Sequence, residues 1–219
     1  ARWRHPSLGL IGPSEFIPVA EECGLIATVG DWVLRRATVE ARQWPDNVRL
    51  AVNVSAGQFL GNDLSGSVQQ ALSNSGFPAN RLELEVTESL LLFERGDQRA
   101  MLQQLSRQGV HMALDDFGTG YSSFRYLDLF PFNRIKIDRS FVANVTKRPH
   151  CAAIVTAAID LGRNLEMRTT AEGVESQDQY AFLKQRGCED VQGYLFGRPC
   201  RGPELLERLT RSIVVNSAA

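Results

Sequence analysis

The 219-residue sequence has no apolar run approaching the roughly 18 residues of a membrane span, and it opens on Ala1-Arg2-Trp3-Arg4 with no secretory leader pattern. It has no excess of positive charge. Against 25 Asp+Glu stand 24 Lys+Arg, a formal net charge of −1 and a pI near 6.4, which argues against a nucleic-acid polymer or an anionic membrane surface as partner. The four cysteines (Cys23, Cys151, Cys188, Cys200) show no CxxC spacing. That disfavours structural zinc and fits reduced, mostly buried thiols in a cytoplasmic protein. There is no low-complexity tract, no linker rich in Pro, Gly or Ser, and no fixed-period repeat, so 1–219 reads as one domain. The three histidines (His5, His111, His150) are scattered without nucleophile or metal spacing and read as structural or surface residues.

What is present is an alternation of short β-rich runs with longer amphipathic ones. The expected strands are Leu50–Ser55, Leu82–Thr87, His111–Asp116, Arg134–Asp138, Arg168–Glu172 and Asp190–Phe196. The expected helices are 30–44, 57–75, 94–109, 148–165, 176–187 and 203–214. In the first of these, Trp32, Val33, Ala37, Ala41 and Trp44 form an apolar stripe that reads as core. Gly76, Gly109 and Gly187 are placed to end helices in the left-handed conformation, and Ser176 to begin one. Repeated β–α order predicts a parallel sheet with right-handed crossovers, either doubly wound or closed into a (β/α)8 barrel. Strand polarity favours the barrel. A strand of an open, doubly covered sheet is apolar on both faces, whereas Leu82-Glu83-Leu84-Glu85-Val86 and Arg134-Ile135-Lys136-Ile137-Asp138 set aliphatics on one face and charges on the other. Six strands are visible where a barrel needs eight. The expectation is a barrel lacking its N-terminal part, with Ala1–Trp3 as the stub of an earlier strand.

The charged and amide residues gather where strands end: Asn53, Glu85, Glu88, Asp115, Asp116, Lys136, Asp138, Glu172, Glu175 and Gln192. That rim is where active sites form in α/β barrels. So many carboxylates repel one another unless cations hold them. Oxygen donors without His or Cys favour Mg²⁺ or Mn²⁺ over zinc. Taken one at a time, each signal has a plainer reading: a solvated strand face, a buried ion pair at Lys136 and Asp138, a turn at Asp115-Asp116 before Gly118. Their shared position after successive strands points instead to a metal-assisted hydrolase of a phosphate ester, of the two-metal kind.

These residues fall within longer matches. The chain resembles the EAL domain, the bacterial phosphodiesterase of cyclic di-GMP. The resemblance rests on Arg2-Trp3-Arg4-His5-Pro6, Gly12-Pro13, Phe16-Ile17-Pro18, Ala20-Glu21, Asn53-Val54-Ser55 and Glu85-Val86-Thr87-Glu88-Ser89. It continues through Asp115-Asp116-Phe117-Gly118-Thr119-Gly120-Tyr121-Ser122-Ser123, Lys136-Ile137-Asp138-Arg139-Ser140-Phe141, Ala171-Glu172-Gly173-Val174-Glu175 and Gln192-Gly193-Tyr194. It implies a TIM-like barrel with one early antiparallel strand, and cleavage of cyclic di-GMP to linear pGpG with Mg²⁺ or Mn²⁺. It also implies roles. Asn53, Glu85 and Asp115 would hold a first metal, and Asp115 and Asp116 a second with Asp138 close by. Glu172 would bind or deprotonate the attacking water, with Lys136 holding that water or the phosphate oxygens. Glu88 and Glu175 would support from behind, Glu88 by anchoring the loop after Asp116. Gln192 would line the metal-water network and Arg2 would bind phosphate. The family's naming glutamate would lie three residues ahead of Ala1, as a further ligand of the first metal. Phe124, Asn133 and Thr169-Thr170 depart from the family's usual residues without touching this set. A homodimer, attached sensory or cyclase domains, and a membrane anchor elsewhere in a longer protein are family expectations. A receptor that binds cyclic di-GMP without cleaving it is the alternative reading.

Overall fold

The computed structural model describes residues 1–61, 63–92, 97–120 and 125–216, with side chains described as far as residue 210. Tyr121, Ser122, Ser123 and Phe124 lie outside the described residues. A hairpin of β1 (Trp3–His5) and β2 (Gly9–Ile11) opens the chain, followed by α1 (Pro13–Glu22) and α2 (Ile26–Ala41). Then come β3 (Leu50–Asn53), α3 (Ala56–Leu60), α4 (Leu64–Ser75), β4 (Leu82–Thr87), α5 (Glu88–Leu91), α6 (Asp97–Arg107) and β5 (His111–Phe117). The remainder is α7 (Arg125–Leu129), β6 (Arg134–Ile137), α8 (Arg139–Val142), α9 (Pro149–Asn164), β7 (Arg168–Glu172), α10 (Gln177–Arg186), β8 (Asp190–Gln192) and α11 (Gly202–Asn216).

The six strands β3 to β8 form one sheet in sequential order, every pair parallel. A doubly wound sheet reverses its strand order at a switch point. This one never does, so its right-handed crossovers all lie on one side and the sheet curls. The alternation read from the sequence sets the two faces. Leu82, Leu84 and Val86, with Met112, Leu114, Ile135 and Ile137, are buried in the core that the helices cover, while Glu83, Glu85, Asp115 and Lys136 are buried on the opposite, concave face. Among the described residues, β3 and β8 are the sheet's edges.

The antiparallel pairing is confined to the hairpin, with Trp3 opposite Ile11 and His5 opposite Gly9. Residue 3 is therefore in a hairpin and does not extend the main sheet. Two helix expectations and one strand expectation shift. The segment read as one helix over 57–75 divides at Gly61, which takes an extended φ of −73° and ψ of 162°. Helix α2 begins at Ile26, and its buried face is Ile26, Leu34, Thr38 and Ala41. Trp32 lies two residues, about 200° of helix rotation, from Leu34, and it is 58% exposed; it is not core. The strand expected to reach Phe196 stops at Gln192. The helix ends behave as read. Gly76 and Gly187 cap α4 and α10 at φ 64° and 79°, and the Ser176 hydroxyl accepts the Gln179 N–H at 3.3 Å. The four cysteines are free, but only Cys151 is buried; Cys23 is exposed and Cys188 and Cys200 are half-buried.

Beyond the last two strands, the loops are stitched together. Val174 donates its N–H to the Gln192 carbonyl at 3.0 Å and accepts the Leu195 N–H at 3.1 Å. Gly193 sits against that seam, where a Cβ would fall 2.1 Å from the Val174 oxygen and 2.3 Å from its nitrogen. Gly193→Ala is expected to cost about 1–3 kcal/mol, the scale of overpacking, and to loosen the loops that follow Glu172 and Gln192. An unchanged melting temperature would show that the seam opens without penalty.

Candidate active site

Strand register brings the predicted residues together. Asn53 pairs with Glu85 across β3 and β4, and Glu172 with Gln192 across β7 and β8. With a side-chain period of two, Asn53, Glu85, Asp115, Lys136, Glu172 and Gln192 share the concave face, and the contacts of Lys136 with Glu85, Asp115 and Glu172 mark one level of it. Lys136 is its centre. The ammonium lies 2.7 Å from Glu85 Oε1, 3.1 Å from Asp115 Oδ1 and 2.7 Å from Glu172 Oε1, so its three N–H donors meet three carboxylates from three other strands. Asn53 donates its amide to the second Glu85 oxygen at 2.9 Å.

Asp116 departs from the pleat. Between Leu114 and Phe117 the β5–β6 register slips, and Asp116 takes a positive φ of 53°, a conformation that Asp tolerates better than most side chains. The Asp116 N–H donates to Asp115 Oδ1 at 3.0 Å, and the Thr119 N–H returns to the Asp116 carbonyl at 3.2 Å. Two adjacent carboxylates, which a regular strand would send to opposite faces, are thereby brought to the same site. Oxygens of Asp115, Asp116 and Glu172 lie within 4.8 Å of one another.

The electrostatics follow from crowding. Burial pushes the Glu85 and Glu172 carboxyls up from their ordinary value; Lys136 opposes this, and the neighbouring acids add to it. Asp116 is raised by burial, then by Asp115 and Asp138. Burial works against the Lys136 ammonium, but Glu85, Asp115 and Glu172 outweigh it and hold its pKa above the usual lysine value. Oxygen donors that hold protons this readily suit a hard dication, which relieves the same repulsion. Asp115, Asp116 and Glu172 therefore fit a hard dication, with Asn53 and Glu85 beside them. Protons and metal compete for these oxygens, so Mn²⁺ affinity is expected to fall as pH drops, starting above the ordinary glutamate value of 4.5. Calorimetric titration between pH 8 and 5 checks it, and an affinity flat across that range would contradict the raised carboxyls.

The other predicted residues are placed as follows. Glu88 opens α5 and is buried, with neither carboxylate oxygen hydrogen-bonded among the described residues; the nearest atoms to a Cβ built on Gly120, in the loop after Asp116, are those of Glu88, at 3.3 Å. Asp138 is close enough to raise Asp116, yet its carboxylate caps α8, accepting the Ser140 N–H at 3.0 Å and the Ser140 hydroxyl. Its position on the charged face of a strand in the sequence gave no sign of that capping. Glu175 is exposed; its N–H donates to Gln179 Oε1 at 2.7 Å. Gln192 is exposed on edge strand β8. Arg2 is exposed and donates to the Ala1 carbonyl at 2.7 Å. Asn133 accepts the Met112 N–H at 2.9 Å, a bond that an aspartate carboxylate would accept equally well. Of the histidines, His5 and His111 are half-buried and His150 is exposed. Burial, then the charge of Arg49, lowers the His111 pKa.

Sequence reading missed a second charged level, one step below the first. Arg134 donates to Glu83 Oε2 at 3.0 Å, to Thr170 Oγ1 at 2.6 Å and to Asp190, and Arg168 donates to Asp190 at 2.9 and 3.1 Å. The signal was the alternation Arg134-Ile135-Lys136, which sends Arg134 to the same face as Lys136.

Comparisons with known proteins agree with this fold. The chain is 44% identical over 209 residues to the bifunctional diguanylate cyclase/cyclic di-GMP phosphodiesterase MucR of Pseudomonas aeruginosa, covering 94% of this chain and 30% of that protein. The solved PaMucR phosphodiesterase in complex with c-di-GMP matches it with a TM-score of 0.89 and 44% identity, covering 94% of this chain and 85% of that one. Klebsiella pneumoniae BlrP1, solved as a manganese/cyclic di-GMP complex, matches with a TM-score of 0.78 and 29% identity, over 91% of this chain and 50% of that one. The chain spans about a quarter to a third of the length of the curated relatives it matches. The family model described as EAL domain matches residues 1–199; the chain belongs to the EAL domain family.

Proposed function

We propose that this domain hydrolyses cyclic di-GMP to linear pGpG with Mg²⁺ or Mn²⁺. The observation that carries the reading is the Lys136 ammonium ringed by Glu85, Asp115 and Glu172, with Asp116 turned in beside them. A dication held by Asp115, Asp116 and Glu172 would lower the pKa of a water and offset phosphate charge. The chain's own groups do the rest. Glu172 offers a half-buried carboxylate to accept a proton from the attacking water. Lys136 presents donors that a phosphate oxygen can take in place of a carboxylate, and its charge favours an anionic transition state. Asn53 and Lys136 hold Glu85 in place.

The names of the relatives support the substrate: MucR and NbdA of Pseudomonas aeruginosa and PdeR of Escherichia coli are all called cyclic di-GMP phosphodiesterases. Their greater length supports attached domains in a longer protein, where a homodimer and a cytoplasmic site also belong to the proposal. No helix among the described residues is long and apolar enough to cross a membrane. The test is chromatography of cyclic di-GMP incubated with the purified chain in Mg²⁺ and then in Mn²⁺. Formation of pGpG, abolished by chelator, is the expected result. Saturable binding without product would favour the receptor, and neither binding nor product would overturn both.

A further inference from the structure

We propose that Arg134 is a positioning residue for the metal site, setting the spacing of Glu85, Lys136, Glu172 and Gln192 from one level below without touching substrate. This inference rests on the metal-dependent reading of the site.

Side-chain bonds and position along the strands place Arg134 under that site. Arg134 holds Glu83 on β4, Thr170 on β7 and Asp190 on β8. Each partner stands two residues before a residue of the site on its own strand: Glu83 before Glu85, Thr170 before Glu172, Asp190 before Gln192. Arg134 itself stands two before Lys136. Two residues along a strand is one step of about 6.6 Å on the same face, so the lower level is the floor directly under the upper. Strand β6 is two strands from β4 on one side and two from β8 on the other. One guanidinium therefore ties β6 to β4 and to β8, neither of which shares backbone hydrogen bonds with it, and in doing so fixes the curl of the sheet. Arginine suits this position because its fork of donors points outward in a plane towards several partners, which a lysine ammonium cannot match at this span. Its side chain is 11% exposed and that of Glu83 is 7% exposed, so water does not readily replace either partner. The site above depends on the same spacing, because Lys136 reaches three carboxylates on three strands within 2.7–3.1 Å.

A purely structural arginine is available for contrast. Arg81, just before β4, is buried and donates to the carbonyls of Trp44, Pro45 and Val48 and to Asp46, none of them a residue of either level. The chain also offers a direct probe of the upper level. Its lysines are Lys136, Lys147 and Lys184, and the last two are exposed, so an ¹⁵N-lysine spectrum isolates the Lys136 ammonium.

The experiment compares Arg134→Met with Arg81→Met in the 219-residue chain, reading melting temperature, Mn²⁺ affinity by calorimetry and the Lys136 ammonium signal without metal. Both variants are expected to melt cooperatively at lower temperature. Only Arg134→Met is expected to lose tenfold or more in Mn²⁺ affinity and to shift the Lys136 signal. An Arg134→Met chain that folds with Mn²⁺ affinity within twofold of the parent and an unmoved Lys136 signal overturns the proposal. Should Arg134→Met fail to fold, Thr170→Val and Asp190→Asn each remove one partner. Smaller shifts of the same sign support positioning, and the absence of any shift overturns it. Because neither readout uses cyclic di-GMP, a parent chain that makes no pGpG defeats the functional reading alone. If the parent binds no Mn²⁺, the Lys136 signal decides.

Discussion

Glu172→Gln is expected to lower the turnover of cyclic di-GMP by about 10²–10⁴-fold, the range for loss of a positioned general base, with no loss of melting temperature. The substitution keeps the shape of the side chain and leaves one oxygen facing Lys136, so the 2.7 Å contact survives as a neutral acceptor. What disappears is the basic oxygen. In the metal-free protein, burial, together with Asp115 and Asp116, raises the Glu172 carboxyl against the pull of Lys136. Stability is spared because one of several crowded negative charges is removed while Lys136 keeps Glu85 and Asp115. The measurement is kcat under saturating metal, beside a thermal melt and a metal titration of the same protein. Those controls separate the loss of a base from the loss of a metal ligand. A folded, metal-loaded variant within threefold of the parent kcat would remove Glu172 from the reaction.

The site was legible in the sequence wherever a period of two could be read directly. Leu82–Thr87 gives both faces of β4 at a glance, and the same period in Arg134–Ile137 puts Lys136 inward. Where geometry departs from the regular pleat, residue spacing is silent. Asp115 and Asp116 are neighbours that an ideal strand would point apart; the register slip and the positive φ of Asp116 that unite them are products of tertiary packing. Asp138 follows the inward parity of its strand, yet it lies at a helix start, where a side-chain oxygen prefers the free N–H groups. Trp32 shows the opposite failure. Its hydrophobicity suggested core, but helix phase is set by which face meets the sheet, and Leu34 and Thr38 won that contest. Glu85 and Glu83 were easy to separate by position and hard to separate by role. Only the bonds of Glu83 to Arg134 and of Glu85 to Lys136 divide the concave face into two levels.

Lys136→Met is expected to destabilise the metal-free protein by about 3–5 kcal/mol, the scale for removing one partner from a buried ion pair, and to recover much of that loss in Mn²⁺. The Lys136 side chain is 5% exposed, and those of Glu85 and Asp115 are 8% and 9%. Without the ammonium, buried carboxylates face one another with the Asn53 amide on Glu85 and the Asp116 N–H on Asp115 for relief. A dication in excess supplies the missing charge, and at a hundredfold excess over its dissociation constant, binding to the native state contributes about 2.7 kcal/mol. The pH dependence has a definite sign. The Glu85 and Glu172 carboxyls are already raised by burial, and the lysine is what opposes that rise, so its removal lifts them further. A carboxyl whose folded pKa exceeds its unfolded value stabilises the fold below the unfolded pKa and loses that contribution as pH rises through the folded one. The deficit of Lys136→Met relative to the parent should therefore be greatest at alkaline pH and shrink as pH falls towards 5. Urea unfolding in chelator at pH 8 and pH 5, repeated with Mn²⁺ at pH 8, measures all three quantities. A deficit independent of both pH and metal would mean that methionine packing, rather than the charge, accounts for the loss. Turnover is expected to stay low even where Mn²⁺ restores the fold, because the added dication replaces the counter-charge of Lys136 but not the hydrogen-bond donors it offers a phosphate oxygen.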